Sequence, residues 1–209
     1  RQYTMQANSN ARRSAQSAAY LILHALVRWM TPILTFTAEE IWQEIPKSSS
    51  DKQLAYAQFS TWSNQLFSND DSAQFSDAEW STVFVIREAI SKQLEVLRAE
   101  KKIGSSLDAS VKIYCSGDTF QTLEKLGKEL RFVMITSGAE ILDTSSKTAD
   151  AVAINDLKDV WVAAETSNDD KCTRCWHHQP DIGNHKEHPE LCGRCVENVV
   201  GSGEARLYA

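Results

Sequence analysis

Apolar residues recur every three or four positions through residues 11–30, where Ala15, Ala18, Ala19, Ile22, Leu26 and Trp29 form a stripe that Leu21, Leu23 and Ala25 widen. That period predicts a helix with a broad, well-buried face. Pro32 ends it, and Thr37-Ala38-Glu39-Glu40 has the form of a capping box, with Thr37 as N-cap of a short helix through Ile41 and Trp42 that stops at Pro46. Residues 47–53 and 68–73 are loops by composition. Between them, Phe59, Trp62, Leu66 and Phe67 predict an apolar loop packed on the helices. A second long helix is expected over 77–102, capped by Asp77, striped by Val83, Ile86, Ile90, Leu94 and Leu97, and stopped at Gly104.

Beyond Gly104 the period shortens. Ala109 to Cys115 alternates as a half-buried strand does, 118–131 reads as a helix and 132–136 as a strand. Residues 151–154 and 160–164 are weaker strand candidates, and 143–150 and 166–170 read as linkers. The pattern predicts a mainly α fold in three parts: a helical bundle over 1–104, a small α+β module over 105–165, and a linker with a cysteine module over 166–209.

Composition changes this picture little. Of 209 residues, 42% are hydrophobic and 24% charged, ordinary for a soluble domain. No apolar run reaches the ~20 residues that a membrane helix needs, and the start has no signal-peptide pattern. Arg1 in place of Met reads as a cut in a longer chain, and Glu204 to Ala209 as a natural stop. The net charge of −6 argues weakly against a nucleic-acid partner. Its distribution does not: residues 115–170 carry −6, whereas 80–114 carry +2, so a polyanion can approach locally. Arg87 and Arg98 lie eleven residues apart, which returns nearly to one helical azimuth, and Lys101 and Lys102 extend that edge. These four are candidate RNA contacts, although solvated charges flanking an apolar stripe are the commoner case.

The strongest chemical signal is Cys172-Thr-Arg-Cys175 followed after sixteen residues by Cys192-Gly-Arg-Cys195. Each C-x-x-C can turn as a knuckle that aims two thiolates at one point, and two knuckles complete a tetrahedron suited to Zn²⁺. Disulfides or a redox C-x-x-C compete with this, but the duplicated spacing and missing secretory signal favour metal. Four cysteines fill the shell, so one structural zinc is expected and no catalytic one. His177, His178, His185 and His188 are then left to the surface or to RNA. Arg174 and Arg194, inside the knuckles, could offset the charge of a Cys₄ zinc centre and also meet phosphate. Trp176 either packs on the knuckle or offers a base a stacking surface. His24 reads as a satisfied core histidine and Cys115 as a small strand residue rather than a nucleophile.

Three stretches together carry a family resemblance. Met30-Thr-Pro-Ile-Leu-Thr-Phe-Thr-Ala-Glu-Glu-Ile-Trp42 resembles the segment shared by anticodon-binding domains of class I aminoacyl-tRNA synthetases. Arg98-Ala-Glu-Lys-Lys-Ile-Gly-Ser-Ser-Leu-Asp-Ala109 resembles the end of the long helix in the isoleucine enzymes, and the cysteine pairs with Trp176 resemble their C-terminal zinc module. Thr173 stands where that family usually has Pro, and Asp108 where it has Glu; both departures are mild. No His-Ile-Gly-His-type or Lys-Met-Ser-Lys-Ser-type signature is present.

The resemblance implies the C-terminal, tRNA-binding end of a cytoplasmic, monomeric ligase that joins isoleucine to tRNA(Ile). ATP and Mg²⁺ would act in catalytic and editing domains outside this stretch, and no membrane is involved. Two other functions compete. Formamidopyrimidine-type DNA glycosylases end in a similar Cys₄ finger that grips DNA, but the helical first half here does not resemble them and no N-terminal catalytic proline is present. The remaining reading is a protein-interaction zinc ribbon, which would bind no RNA at low salt.

Overall fold

The fold is taken from a computed structural model that describes residues 2–64, 66 and 73–208. The chain divides into two units, residues 12–70 and residues 71–209 together with 1–11.

The first unit is built on α1 (Asn10–Met30, whose first two residues belong to the other unit) and α2 (Thr35–Glu44). Val27, Ala38, Trp42, Ile45 and Ala57 make its buried core. His24 is buried between them, with its Nε2 2.8 Å from the Pro46 carbonyl. Arg28 donates to the His24 carbonyl and, through both contacts of one terminal nitrogen, to the Asp51 carboxylate at 2.8 and 2.9 Å. The core-histidine expectation therefore stands.

Three details of this unit depart from the sequence pattern. Alpha-helical geometry begins at Thr35, two residues before Thr37, because the Leu34 and Ala38 amides already bond the Met30 and Leu34 carbonyls. The broad face of α1 is covered on one side only, so Ile22, Leu26 and Trp29 stay exposed. The apolar loop is likewise outside: Phe59, Trp62 and Leu66 are exposed, and only Ala57 is buried, its amide held by the Glu39 carboxylate at 2.9 Å. Phe67 and residues 68–72 lie outside the described residues.

In the second unit, α3 (Asp77–Ala99) is capped by Ser76 rather than by Asp77. Ser76 and Glu79 form a full capping box, and Lys125 pairs with the same carboxylate. These partners, Lys125 first and then Ser76, bring the Glu79 carboxyl down from the usual 4.5 to about 2. Alpha3 ends before Gly104. Lys101 takes a left-handed conformation (φ 58°), its amide bonds the Arg98 carbonyl, and the Lys102 amide bonds the Leu97 carbonyl. This is the Schellman pattern with a lysine at the position glycine prefers.

Alpha3 buries Val83, Ile86, Ile90 and Leu94 against a four-stranded mixed sheet. The strands are β1 (Ala109–Tyr114), β2 (Gly138–Leu142), β3 (Val152–Ala153) and β4 (Trp161–Thr166), in the order β2-β1-β4-β3. Beta1 runs parallel to β2 and antiparallel to β4. Alternation holds from Ala109 to Ile113 of β1, where Ala109, Val111 and Ile113 are buried, and ends at Tyr114, which is buried as well. Cys115, directly after it, is buried as expected, and burial pushes its thiol up to about 11.

The crossover from β1 to β2 corrects two expectations. The helix expected over 118–131 breaks into α4 (Gly117–Leu126) and α5 (Leu130–Met134), because Gly127 turns to φ 49°. Residues 132–136, expected as a strand, are helical only through Met134, where Phe132 and Met134 are buried; Ile135 then takes a left-handed conformation (φ 60°) and ends α5, and periodicity over five residues cannot distinguish such a run from a strand. Packing also joins what the three-part division separated. The apolar stripe of α3 and the sheet residues Val111, Ile113 and Val162 belong to one core cluster. The mainly α expectation thus holds in part: among the described residues there are six α-helices and one four-stranded sheet.

Two measurements test these assignments. Lys101→Gly should raise stability by about 0.5–1 kcal/mol in chemical denaturation, because a side chain in the left-handed region costs about 1–2 kcal/mol. The Glu79 carboxyl is depressed in the folded chain, so its contribution is present above the usual 4.5 and is lost as pH falls toward about 2. Glu79→Gln should therefore be less stable at neutral pH, and the gap should close through that acid window.

Candidate metal centre

Each cysteine pair is positioned by its own turn. In the first, the Trp176 amide reaches back to the Cys172 carbonyl at 2.9 Å, and the Cys172 amide bonds the His177 carbonyl. In the second, Cys192 is the N-cap residue of α6 (Gly193–Val200), and the Gly193 amide donates to Asp181 at 2.8 Å. A side chain at Gly193 would meet Asp181 Oδ2 at 2.7 Å, so the carboxylate that the Gly193 amide bonds would have to shift.

The four sulfurs of Cys172, Cys175, Cys192 and Cys195 lie within 4.8 Å of one another. Cys175 and Cys192 Sγ are 3.7 Å apart and not bonded to each other. Metal–sulfur bonds of about 2.3 Å in a tetrahedron give a sulfur–sulfur edge of about 3.8 Å. The geometry therefore fits one tetrahedral metal and does not fit disulfides. Electrostatics agree. Cys192, Cys195 and His177 direct hydrogen bonds at the Cys175 sulfur and lower its pKa, while that thiolate pushes the Cys195 thiol up to about 11. Four thiolates so close need a divalent cation to coexist, and zinc meets that need without a geometric penalty.

The histidines do not complete the shell. Among the described residues the four cysteines form the only close group of metal-ligating side chains. His177, expected at the surface, is 2% exposed and packs edge-on to Phe132 at 5.5 Å. His178 bonds the Asp169 carbonyl at 2.7 Å and faces Asp108 at 3.3 Å.

Both knuckle arginines are engaged by side chains and backbone of their own unit. Arg174 donates to the Thr4 carbonyl at 2.6 Å and approaches Cys195 Sγ at 3.7 Å. Arg194 is 9% exposed, donates twice to Glu204 at 2.9 and 2.8 Å, and reaches the Thr4 hydroxyl at 2.8 Å. Trp176 is the opposite. It is 62% exposed and holds φ 65°, a region that a bulky residue enters only at a cost. Nor are residues 166–170 a free linker: the Ser167 amide donates to the Asp108 carbonyl at 2.8 Å, and the Gln179 amide to the Asp170 carbonyl at 3.0 Å.

With this geometry in place, similarity to known proteins can be weighed. Residues 1–113 match the family described as the anticodon-binding domain of tRNA ligase. The chain belongs to that family. Residues 169–198 match the zinc finger found in FPG and IleRS. That finger alone suits both the glycosylase and the synthetase reading; the match over 1–113 separates them. Over its whole length the chain is 51% identical to an isoleucine–tRNA ligase from Thioalkalivibrio sulfidiphilus, and 46% identical to those from Nitrosococcus oceani and Pseudoalteromonas atlantica. It spans 22% of the length of each of these relatives.

In this anticodon-binding chain the remaining basic candidates sit on and after α3. Arg98 is exposed and pairs with Glu95, and Lys102 pairs with Glu100 at 2.7 Å. Lys101 is exposed and Arg87 half-buried. Surface pairs of this kind are worth at most about 1 kcal/mol, so they leave the cations available to a polyanion.

Residues that matter here but carried no sequence signal are Arg131, Phe132, His177 and Glu204. They reach the cysteine centre only through the tertiary fold, and no spacing relates them to it.

Chain purified without added metal should carry about one zinc, measured by elemental analysis, and Cys175→Ser should lose it. Because thiolates must deprotonate to bind, acidification from pH 8 should release the metal, and higher pH should retain it. Disulfide-linked cysteines with no metal would contradict the assignment.

Proposed function

We propose that this chain is the tRNA-binding part of an isoleucine–tRNA ligase, positioning tRNA(Ile) while isoleucine is attached with ATP and Mg²⁺ in a catalytic domain outside it. The observation that carries the reading is the pairing of an anticodon-binding match over 1–113 with a Cys₄ centre over 169–198, at full-length identity near one half to ligases of that name. The whole protein would act as a monomer in the cytoplasm. The zinc would be structural: four thiolates leave no open position for water or substrate.

Trp176 is the strongest candidate RNA contact. Its ring is exposed beside the first cysteine knuckle, and its backbone holds a positive φ there. A large exposed aromatic on a rigid base suits a nucleic-acid base, worth about 1–3 kcal/mol when stacked. Arg87, Arg98, Lys101 and Lys102 are proposed as phosphate contacts, which position RNA without reading sequence.

Pure chain mixed with tRNA, isoleucine and ATP should bind tRNA and yield no charged product. Trp176→Ala should weaken binding by about 5- to 150-fold with zinc content unchanged. Arg98→Gln should flatten the slope of log affinity against log salt by roughly 0.7–0.9. Measurable charging by the pure chain, or no tRNA binding at low salt, would sink the reading.

A further inference from the structure

Away from the cysteine centre, α3 carries aromatic rings outward on one face. Trp80, Phe84 and Arg87 follow one another at steps of four and three, so they stand in one row along the helix. Trp80 and Phe84 are stacked, with ring centroids 5.7 Å apart and planes 24° from parallel. Trp80 rests in turn on buried Phe75 at 4.9 Å, and Phe75 meets Tyr208 edge-on at 5.1 Å. Phe84 is thus the outer ring of a stack whose inner end is fixed in the core, and it is 53% exposed.

A single exposed apolar residue is ordinary on a protein surface. Two features set this one apart. The exposed positions of α3 one and two turns from it, Ser81, Glu88 and Ser91, are polar. The open apolar area is therefore little more than one ring, far below the roughly 800 Å² per partner that a stable protein interface buries. It suits one flat ligand and not a protein segment. The second feature is charge. Arg87 is the one basic residue of α3 without a carboxylate partner among the described residues, since Lys92 is held by Glu88 at 2.9 Å and Arg98 by Glu95. Glu79 and Glu88, which flank the row in sequence, are both paired, with Lys125 and Lys92. An anchored ring beside an unpaired guanidinium is the combination that single-stranded nucleic acid takes: the ring meets a base and the cation meets the backbone.

We propose that Phe84, backed by Trp80, is a stacking platform for an unpaired base of bound tRNA, with Arg87 one turn along α3 holding the adjoining phosphate. This rests on the tRNA reading above and deepens it, because that reading gives α3 phosphate contacts alone. Arg98 lies eleven residues beyond Arg87 at nearly the same azimuth, about 16 Å further along the same edge, so the strand would leave the platform over a second cation. Stacking engages the π-face that every base has, and bases inside a duplex already have both faces covered. The platform therefore selects for unpaired RNA and not for one sequence.

The test titrates the whole chain with tRNA at several salt concentrations. Phe84→Ala should weaken binding by about 5- to 150-fold and leave the slope of log affinity against log salt unchanged, since no charge is lost. Phe84→Tyr should keep most of the affinity. Phe84→Leu should fall with Phe84→Ala, because leucine keeps apolar contact but offers no π-face. Arg87→Gln should flatten the salt slope by roughly 0.7–0.9. Should Phe84→Ala disturb the fold, the comparison of Phe84→Leu with Phe84→Tyr decides. Unchanged affinity in Phe84→Ala overturns the proposal. So does a Phe84→Leu chain that binds like Phe84→Tyr, which would make the ring a patch for a protein segment, or an unchanged slope in Arg87→Gln. If Trp176→Ala loses affinity and Phe84→Ala does not, the tRNA reading stands and this platform falls. No tRNA binding by the unsubstituted chain at low salt would overturn the tRNA reading itself, and the platform with it.

Discussion

Four thiol sulfurs within 4.8 Å of each other cannot stay ionised together without a cation at their centre. Much of the second unit is arranged around that constraint. The two knuckles are closed by their own amides, but the surroundings come from distant parts of the chain. Thr4 is gripped by Arg174 and Arg194, and the Gln6 side chain donates to the Gly201 carbonyl at 2.8 Å. The Leu207 and Tyr208 amides end on the Glu129 carboxylate at 2.7 and 2.8 Å. A metal at the centre would therefore tie residues 2–6, the α4–α5 crossover and residues 202–208 into one body.

A second consequence concerns which groups are free to meet RNA. Charge alone does not decide it. Arg174 and Arg194 are the basic residues closest to the cysteines in sequence, yet both are spent inside, on backbone, carboxylate and sulfur. Trp176, one residue from a ligand, is turned out by its positive φ. Lys101 is turned out by the same backbone conformation at the end of α3. Lys101 and Trp176 are thus two of the four non-glycine residues of positive φ among the described residues, and both present their side chains to solvent.

Local order was legible wherever one period or one spacing dominated. The stripe of α3 from Val83 to Leu94, the alternation of β1 and the duplicated C-x-x-C all follow from fixed geometry: 3.6 residues per turn, two per pleat, and a knuckle that closes over four residues. The buried roles of His24 and Cys115 were equally readable, since each sits at an apolar position of its element. The family matches and the relatives then agreed with the resemblance carried by residues 30–42, 98–109 and the cysteine pairs.

What the sequence could not determine were matters of partner and direction. Residues 132–136 are too short a run to tell helix from strand, and the break at Gly127 decided it. Ile22, Leu26 and Trp29 continue an apolar stripe, but burial needs a neighbour, and α2 covers only one side of α1. The long helix was assigned to the helical part by proximity in sequence, whereas its stripe fits the sheet. Arg131 reaches Gln179, and Arg174 reaches Thr4, only through the tertiary fold. Periodicity and spacing fix what a segment is because backbone geometry repeats locally; which charges face one another across a folded chain has no local repeat, and only the tertiary structure decides it.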